Sequence, residues 1–385
     1  MRIGIDGRLV THRRGIGNLV FHLLHALSKI AGDYSLVIYV ADAAARRVVP
    51  DDPRFSVRVL IPRLYPLWEQ FSLPVAAAQD RLDVLHCPAN TAPVFLNRTL
   101  PLILSVMDVM YLLPHEVLPK SSSWYQRVGR RYLRHVVPLV ARRASAIVTI
   151  SEHSKLDIVK YLGVHEDRIT VTPLAAHPAY FSVPDKTLVQ RALSKYGLVR
   201  PYVLALGAID PRKNTERIVR AFAAFQKKGS TNHQLALAGL SGPMANAYVR
   251  LAKSLGIAEC LKTLEFVSDA ELIALYSAAE MFVYPSLYEG FGLPIIEAMA
   301  CGTPVITSER GSILEVAGGA AMMVNPLDVE EIASAMYRLA WDVNLREALI
   351  EKGRARAAMY SWQKTAERTF QVYERVVGDR MKVYE

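Results

Sequence analysis

The hydrophobic residues of this chain follow two alternating patterns. Short runs rich in Val, Ile and Leu, typical of buried strands, alternate with longer stretches whose apolar residues recur at helical spacing. The short runs predict strands at 2–6, 35–40, 55–61, 82–86, 102–106, 146–150, 169–172, 202–206, 234–238, 263–266, 281–284 and 305–307. Strands that alternate with helices in this way predict an α/β fold with largely parallel sheets.

The length of the chain and the order of these elements predict two domains. A chain of 385 residues is long enough for two domains of ordinary size. The stretch from Leu174 to about Pro201 has little periodicity at its start, which indicates the connection between them. We therefore predict an N-terminal domain over 1–180 and a C-terminal domain over 181–360. The final amphipathic stretch is long enough to cross back over another domain, so we assign a returning helix, 361–385, to the N-terminal domain.

Composition narrows the class of partner. The chain carries a net charge of +10 and has a pI near 9.4, which favours nucleic acid, acidic lipid or a phosphorylated substrate. Nucleic acid fits poorly, because the basic stretch lacks regularly interleaved aromatic residues and contains no recognised binding module. A nicotinamide enzyme also fits poorly, since no strand is followed by Gly-X-Gly-X-X-Gly with an acid downstream.

Cysteine usage and hydropathy predict a cytoplasmic protein. Cys87, Cys260 and Cys301 are far apart and odd in number, so they suggest neither a disulfide framework nor a metal site. The first strand begins at Arg2 without the apolar core of a signal peptide. No uncharged apolar run reaches the length of about 18 residues that a transmembrane helix needs.

The stretch Tyr284–Glu297 carries the strongest candidate chemistry. A strand is followed by a loop loosened by Gly290 and Gly292, and Pro294 stands where a helix would begin. Free backbone N–H groups at the positive end of a helix dipole form a general anion site. A second loop with the same order, which contains Gly15 and Gly17, is either another backbone cradle for an anion or a simple turn.

Two acids flank the predicted anion site. Glu289 lies in the loop and Glu297 lies one turn into the helix. Because carboxylates repel phosphate, they are better suited to accept hydrogen bonds from hydroxyl groups on either side of it. A diphosphate with a sugar at each end fits this pattern. The alternative is that Glu289 is a solvated loop charge and Glu297 is a carboxylate favoured by the helix dipole.

A pair of cations follows the strand at 202–206. Arg212 and Lys213 could stabilise a departing diphosphate as its negative charge grows, or they could belong to a solvated turn. Two such cations would remove the need for a divalent metal, and the sequence has no Asp-X-Asp pair or His/Cys cluster with ligand spacing. We therefore expect no metal and no cofactor.

Polar residues also follow two strands of the N-terminal half. His86 and Asp108 come at the ends of the runs 82–86 and 102–106, and ligands of open α/β sheets collect at the carboxyl edge. They are therefore candidate catalytic residues, although a single His at a strand end is more often a hydrogen-bonded structural residue.

The segment 117–151 is basic and contains no Asp or Glu. Four arginines form one helical stripe: Arg127, Arg130, Arg131 and Arg134. The stripe predicts a surface helix that meets anionic lipid head groups or the phosphates of an acceptor. The alternative is a solvated face.

The sequence YPSLYEGFGLPIIEAMACGTPVIT, at 284–307, resembles the signature of the retaining glycosyltransferases of family 4, whose two acids are likewise separated by seven residues. The resemblance extends through GAIDPRKN at 207–214, GSILEVAGG at 311–319, DVLHCP at 83–88 and TISEHSK at 149–155, and so covers almost the whole chain.

The resemblance implies a GT-B architecture, in which two Rossmann-like domains face a cleft and the last helix returns to the N-terminal domain. It also implies that Glu297 holds the ribose hydroxyls of a nucleotide sugar, that Glu289 contacts the donor sugar, and that Val267 lines the base pocket. Arg212 and Lys213 would clamp the diphosphate. The sugar and phosphates would be surrounded by the backbone of Gly290, Phe291, Gly292 and Leu293.

The chain departs from the family pattern at two positions. Relatives often have a His-Asp pair where this chain has Met107-Asp108, so either another residue such as His86 takes that place or an apolar contact is tolerated there. An arginine common before the Asp-Pro turn is replaced by Ala208. Arg212 would then carry more of the phosphate charge.

The opening RIGIDGRLV and the segment LWEQFSLP at 67–74 are most similar to bacterial transferases of polysaccharide and O-antigen assembly, many of which use GDP-mannose. We therefore expect a retaining, metal-independent hexosyltransferase. Its partners would be a nucleotide sugar, a lipid-linked or oligosaccharide acceptor and an anionic membrane surface at the inner face of the plasma membrane. The alternatives are a nucleotide-sugar epimerase or hydrolase on the same scaffold, and a weakly active docking subunit of a glycan assembly complex.

Overall fold

The computed structural model describes residues 1–12, 15–62, 64–114, 124–208, 210–229 and 231–384. Arg13 and Arg14, which flank the first glycine loop, lie outside these residues. The described strands are β1 (Arg2–Asp6), β2 (Ser35–Val40), β3 (Phe55–Val59), β4 (Val84–Cys87), β5 (Leu102–Ser105), β6 (Ala146–Thr149), β7 (Ile169–Val171), β8 (Tyr202–Leu206), β9 (Gln234–Ala238), β10 (Leu261–Leu264), β11 (Met281–Tyr284), β12 (Val305–Ser308) and β13 (Met322–Val324).

The α-helices alternate with these strands. They are α1 (Ile16–Leu27), α2 (Tyr65–Leu67), α3 (Leu73–Gln79), α4 (Trp124–Arg143), α5 (Glu152–Leu162), α6 (Lys186–Tyr196), α7 (Thr215–Gly229), α8 (Gly242–Ser254), α9 (Asp269–Ala278), α10 (Leu293–Ala300), α11 (Ser312–Ala317), α12 (Val329–Trp341), α13 (Val343–Ala358) and α14 (Trp362–Tyr384). A π-helical segment, Trp68–Ser72, joins α2 to α3.

The described chain divides into two compact units. Unit 1 contains residues 1–113, 124–174 and 361–384, and unit 2 contains residues 175–360. The last helix, α14, therefore belongs to unit 1, where it packs on α1, as the returning helix was predicted to do.

Unit 1 is built on a fully parallel seven-stranded sheet in the order β3-β2-β1-β4-β5-β6-β7. Its central strands are buried on both faces, which explains why they read as continuous apolar runs rather than alternating ones. The side chains of Trp68, Tyr39 and Leu104 lie in its hydrophobic core.

Unit 2 is built on a parallel six-stranded sheet in the order β10-β9-β8-β11-β12-β13, which is the strand order of a dinucleotide-binding Rossmann fold. The strand order reverses between β8 and β11, so the loops that follow these two strands meet at the carboxyl edge of the sheet. Ligands bind at this position in open α/β sheets.

Several helix boundaries follow from capping residues visible in the sequence. Ser268 and Glu271 form a reciprocal capping box at the start of α9, and Ser151 accepts a hydrogen bond from Ser154 N at 3.0 Å at the start of α5. Gly163 ends α5 in the left-handed conformation, with φ of 65°.

Three elements were missing from the sequence-based assignment: α6, β13 and the helical segment Tyr65–Gln79. The stretch after Leu174 is therefore not simply a connection, because α6 packs on α9 within unit 2. Among the described residues, no helix is both long and apolar enough to cross a lipid bilayer.

Candidate functional site

The loop after β8 is shaped to hold two cations in place. Asp210 caps the short 3-10 turn Pro211–Lys213 by accepting a hydrogen bond from Arg212 N at 3.0 Å. Asn214 then adopts a left-handed conformation, with φ of 62°. Its Nδ2 donates to the carbonyl oxygens of Pro285 at 3.0 Å and Pro326 at 2.6 Å, so this buried amide ties the loop after β8 to the loop after β11.

The two cations meet one carboxylate from the loop after β11. Arg212 Nη1 lies 2.6 Å from Glu289 Oε2, and Lys213 Nζ lies 2.7 Å from Glu289 Oε1. Two hydroxyl groups also donate to Oε1, from Ser286 at 2.6 Å and Tyr284 at 2.8 Å. We call Arg212, Lys213 and Glu289 the acid–base cluster. Charged side chains held in fixed positions in this way are expected of a preorganised site for a charged ligand at the carboxyl edge of the sheet.

The charge state of the cluster follows from its contacts. Burial by itself would raise the pKa of Glu289, but Lys213 and Arg212 outweigh it and lower the pKa to about 2. Burial lowers the pKa of Lys213, while the neighbouring Glu289 carboxylate opposes that change. Lys213 Nζ also donates to the Tyr284 hydroxyl and lies over its ring, 4.8 Å from the centroid. At neutral pH the carboxylate is therefore ionised and the two cations share it.

The helix after this loop begins as the sequence predicts. Gly292, with φ of 102°, precedes α10, and Pro294 lies in its first turn. The Phe291 side chain is buried and meets the Tyr360 ring edge-on, with ring centroids 5.5 Å apart. Ser312 Oγ donates to the carbonyl oxygen of Glu289 at 2.6 Å, and this hydrogen bond holds the backbone of the loop in place. The side chain of Phe291 is therefore not available to a ligand, and contact of its backbone with one stays a prediction.

The second acid of the pair has a different environment. Burial, followed by the charge of Asp269, raises the pKa of Glu297 to about 8. Among the residues that the structure describes, no group donates a hydrogen bond to its carboxyl. Both Glu289 and Glu297 help to raise the pKa of Tyr284, after the larger effect of its burial, so this tyrosine lies within electrostatic reach of both acids. Such a carboxyl has capacity to accept hydrogen bonds from a ligand.

Val267, the predicted base-pocket residue, lies just before α9. It is buried and directly precedes Ser268, the N-cap of α9, whose next residue is Asp269. Asp269 lies close enough to Glu297 to raise its pKa, and a contact of Val267 with a base stays a prediction.

The surroundings of His86 favour the structural role that the sequence left open, and a catalytic role for this residue stays a prediction. Its side chain is fully buried in unit 1, where Nδ1 pairs with the Tyr373 hydroxyl and Nε2 pairs with Ser105 Oγ, both at 2.7 Å. Burial lowers its pKa to about 3, so the ring stays neutral at physiological pH. Both nitrogens are occupied, and the residue joins α14 to β4 and β5.

Asp108 and Met107 follow β5 in a tightly bonded loop. Asp108 Oδ1 accepts a hydrogen bond from Met110 N at 3.0 Å, and its side chain is largely buried. Met107 N donates to Asn90 Oδ1 at 2.6 Å, and its carbonyl accepts from Ser154 Oγ at 3.0 Å. These bonds account for a structural role of the loop, and a chemical role of Asp108 stays a prediction.

The glycine loop of unit 1 is explained by close packing at one position. Gly15 precedes α1 with φ of 54°. A Cβ on Gly17 would lie well inside van der Waals contact with the carbonyl oxygens of Leu9 and His12. Gly17 therefore lets the start of α1 pass close to the preceding loop, and its contact with a ligand stays a prediction.

The four predicted arginines of α4 divide into two pairs. Arg130 Nη2 donates to the carbonyl oxygens of Met110 at 3.0 Å and Leu113 at 3.1 Å, and Arg134 Nε donates to that of Tyr111 at 2.5 Å. The side chains of Arg127 and Arg131 are exposed. The stripe is thus not wholly a binding face, because two of its members hold the loop after β5.

Sequence reasoning missed several residues that complete the cluster. Tyr284 and Ser286, which carry no charge, hold Glu289, and Asp210 holds Arg212. Their position beside the ends of β8 and β11 is a signal that could have identified them. In the described part of the chain, no group of three His, Cys, Asp or Glu side chains is arranged to hold a metal ion.

Comparisons with known proteins identify the family of this chain. A Glycosyltransferase Family 4 model matches residues 13–179, and a Glycosyl transferases group 1 model matches residues 194–356. O-antigen chain mannosyltransferase B of Escherichia coli is 33% identical over 245 residues, which are 63% of this chain and 64% of that protein. The MMP alpha-(1->4)-mannosyltransferase of Mycolicibacterium hassiacum is 33% identical over 272 residues, which are 68% of this chain and 62% of that protein. The chain thus matches just under two thirds of the length of these two relatives.

The fold comparison covers the whole chain. Sucrose-phosphate synthase from Thermosynechococcus elongatus superposes with a TM-score of 0.75 at 21% identity, over 98% of this chain and 100% of that one. Two parallel Rossmann-like sheets with this likeness define the GT-B class, as predicted. With one family domain in each half, the chain belongs to the group 1 and family 4 glycosyltransferases.

Proposed function

We propose that this glycosyltransferase transfers mannose from GDP-mannose to a lipid-linked or oligosaccharide acceptor with retention of anomeric configuration, in the assembly of a bacterial surface polysaccharide. The proposal that the donor is a nucleotide sugar rests on the acid–base cluster, which lies where the strand order of the unit 2 sheet reverses. The mannosyltransferases that are 33% identical support the choice of sugar.

The cluster supports a reaction in which a diphosphate leaves. As the bond between the sugar C1 and the phosphate oxygen breaks, negative charge grows on that oxygen. Arg212 and Lys213 stabilise this charge, and so favour the transition state over the bound donor. The acceptor oxygen bonds to C1, and its proton passes to the leaving phosphate oxygen. Because its pKa is about 2, Glu289 stays ionised and holds the cations and the hydroxyl groups of the donor sugar.

The second acid supports binding of the nucleoside. The Glu297 carboxyl, which has no hydrogen-bond donor among the described residues, would accept hydrogen bonds from the two ribose hydroxyls. Val267, beside the start of α9, would pack against the base. The backbone of 290–293 would face the sugar and phosphates.

We further propose that the two side-chain cations take the place of a divalent metal. They already supply positive charge at fixed positions beside the helix start of α10. Transfer should then proceed in the presence of a chelator such as EDTA at the rate found without it.

A two-stage experiment tests the proposed function. First, a thermal-shift panel compares GDP-mannose with UDP- and ADP-sugars, because a ligand that binds only the folded state raises the melting temperature. Second, multiple-turnover assays with GDP-mannose measure GDP release with and without a lipid-linked oligosaccharide acceptor.

The proposal predicts a shift with GDP-mannose and GDP release that depends on acceptor. A shift with a UDP- or ADP-sugar alone would overturn the choice of donor. Full-rate donor consumption without acceptor would support a hydrolase or epimerase instead. Donor binding without any turnover would support a docking subunit.

A further inference from the structure

The helical segment Tyr65–Gln79 in unit 1 has an unusual distribution of polarity. Its only charged residue, Glu69, is fully buried together with Trp68 and Leu73. Its outward face carries Leu67, Phe71 and Val75, which are exposed by 42%, 65% and 58%, and Leu64, which directly precedes the segment, is exposed by 64%. We call these four residues the outer ridge. A surface helix normally has the opposite arrangement, with its charges in water and its apolar residues in the core.

Hydrogen bonds hold the segment in this orientation. The Glu69 carboxylate accepts from the hydroxyl groups of Tyr65 at 2.7 Å, Tyr132 at 2.6 Å and Thr91 at 3.2 Å, and from Gln70 Nε2 at 2.6 Å. Once the carboxylate is anchored inside, helical geometry directs the outer ridge away from the core. The exposure of the ridge is therefore fixed by the fold.

Neighbouring loops extend the same apolar surface. Ile61, which is 78% exposed, accepts a hydrogen bond at its carbonyl from Ser72 Oγ at 2.6 Å. Phe95, which is 85% exposed, follows Val94, whose N–H donates to Gln70 Oε1 at 2.9 Å. The exposed apolar side chains thus concentrate in one segment and the two loops bonded to it, and such concentrations on a protein surface mark interaction sites.

Helix α4, which bonds to the same segment, carries exposed arginines. Tyr132 of α4 bonds directly to Glu69, and its sequence neighbour Arg131 is exposed, as is Arg127 one turn earlier. Val128, which is 60% exposed, lies one turn from Tyr132 on the same helix and adds an exposed apolar side chain beside these arginines. The sequence 117–151 has no Asp or Glu that would neutralise them.

We propose that the outer ridge inserts into the surface of a lipid bilayer while Arg127 and Arg131 bind the phosphates of anionic head groups. An apolar strip flanked by exposed arginines matches the layering of such a surface, in which acyl chains lie beneath anionic head groups. A second copy of this chain fits less well. A two-fold contact through the ridge would bring the same basic surfaces of both copies together, and like charges that face each other oppose association.

This inference rests on the proposed function in one respect: the outer ridge would bring the protein to the membrane that holds its lipid-linked acceptor. It does not depend on the chemistry of the donor. The acid–base cluster lies in unit 2, whereas the outer ridge lies in unit 1. Variants of the ridge therefore leave nucleotide binding intact, and the two proposals can fail separately.

Vesicle flotation of the full chain tests the inference. The double variant Leu67→Ser/Phe71→Ser removes two exposed apolar side chains, and the control Leu156→Ser/Val183→Ser removes two exposed apolar side chains elsewhere. All proteins are floated with vesicles of phosphatidylcholine and with vesicles of phosphatidylcholine plus phosphatidylglycerol. A thermal shift with the donor nucleotide, measured on each variant, confirms that unit 2 is intact.

The wild type and the control should float with the anionic vesicles, and the ridge variant should bind them about tenfold less or weaker still. Arg127→Gln/Arg131→Gln should reduce binding to the anionic vesicles by about tenfold. Equal flotation of the ridge variant and the control would overturn the inference. A wild type that binds no vesicles would also overturn it. If that wild type also elutes as a dimer, and the ridge substitutions convert the dimer to a monomer, the ridge is a contact between two copies of this chain instead.

Discussion

Arg212 Nη1 and Glu289 Oε2 lie 2.6 Å apart, although 77 residues separate them along the chain. Each follows one of two neighbouring strands, β8 and β11, that pair in parallel at the centre of the unit 2 sheet. The contact is buried, so the cation and the carboxylate depend on each other for charge compensation. An incoming diphosphate would add negative charge to a site where one carboxylate already holds two cations in position.

Replacing Lys213 tests its part in the transfer step. Lys213→Ala should lower kcat/KM by about 10²–10³-fold, because an ammonium group that stabilises the leaving diphosphate acts mainly in the transition state. Lys253→Ala, which removes an exposed lysine of the same unit, is the matched control and should keep its activity. The measurement is steady-state GDP release. Undiminished activity of Lys213→Ala would remove this residue from the mechanism.

Glu289 should make the protein sensitive to acid. Its pKa is about 2 in the folded chain and ordinarily 4.5, so between these values the unfolded chain binds more protons. Stability from this group is fully present above pH 4.5 and is lost as the pH falls towards 2. The difference corresponds to about 3 kcal/mol. Denaturant unfolding across this window should show a steeper loss for the wild type than for Glu289→Gln, and parallel profiles would contradict the assignment.

Glu297 should have the opposite effect on stability. Because its folded pKa is about 8, the folded chain binds the extra proton between pH 4.5 and 8. The free energy of unfolding that this group contributes therefore decreases as the pH rises through that window. Glu297→Gln cannot ionise and should become more stable relative to the wild type with rising pH. The same denaturant series measures this, and a constant difference between the two proteins would be inconsistent with a raised pKa.

Tyr373→Phe separates a structural His86 from a catalytic one. The variant removes the hydroxyl partner of Nδ1 and leaves a fully buried ring nitrogen without its hydrogen bond. We expect a loss of about 1–3 kcal/mol in the free energy of unfolding, with kcat unchanged at a temperature where the variant is folded. Unchanged stability combined with a lower kcat would instead support a chemical role for His86.

The sequence was most informative where local chemistry decides the structure. Capping residues such as Ser268 and Gly163 can be recognised in the sequence, because the cap is made within a few residues. The runs 2–6, 202–206 and 281–284 proved to be strands with the predicted ends, since buried parallel strands read as continuous apolar runs. The meeting of Arg212, Lys213 and Glu289 could be anticipated from the rule that ligand sites form where the strand order reverses.

Features that depend on long-range contacts could not be predicted. Arg130 and Arg134 resemble surface residues by spacing, yet carbonyl groups about 20 residues away in the chain bind them. The segment Tyr65–Gln79 lacks a helical polarity pattern, because its acid is buried and its apolar ridge is exposed. His86 became structural only through Tyr373, which lies 287 residues further along the chain.

Calorimetric titration of GDP in the presence of EDTA tests the central claim most directly. The account predicts that the wild type binds GDP and that the affinity of Lys213→Ala for GDP is lower by a factor of about ten or more. Guanosine, which lacks the diphosphate, should bind both proteins equally weakly. Equal GDP affinity for the wild type and Lys213→Ala, or no affinity of the wild type for GDP, UDP or ADP, would contradict it.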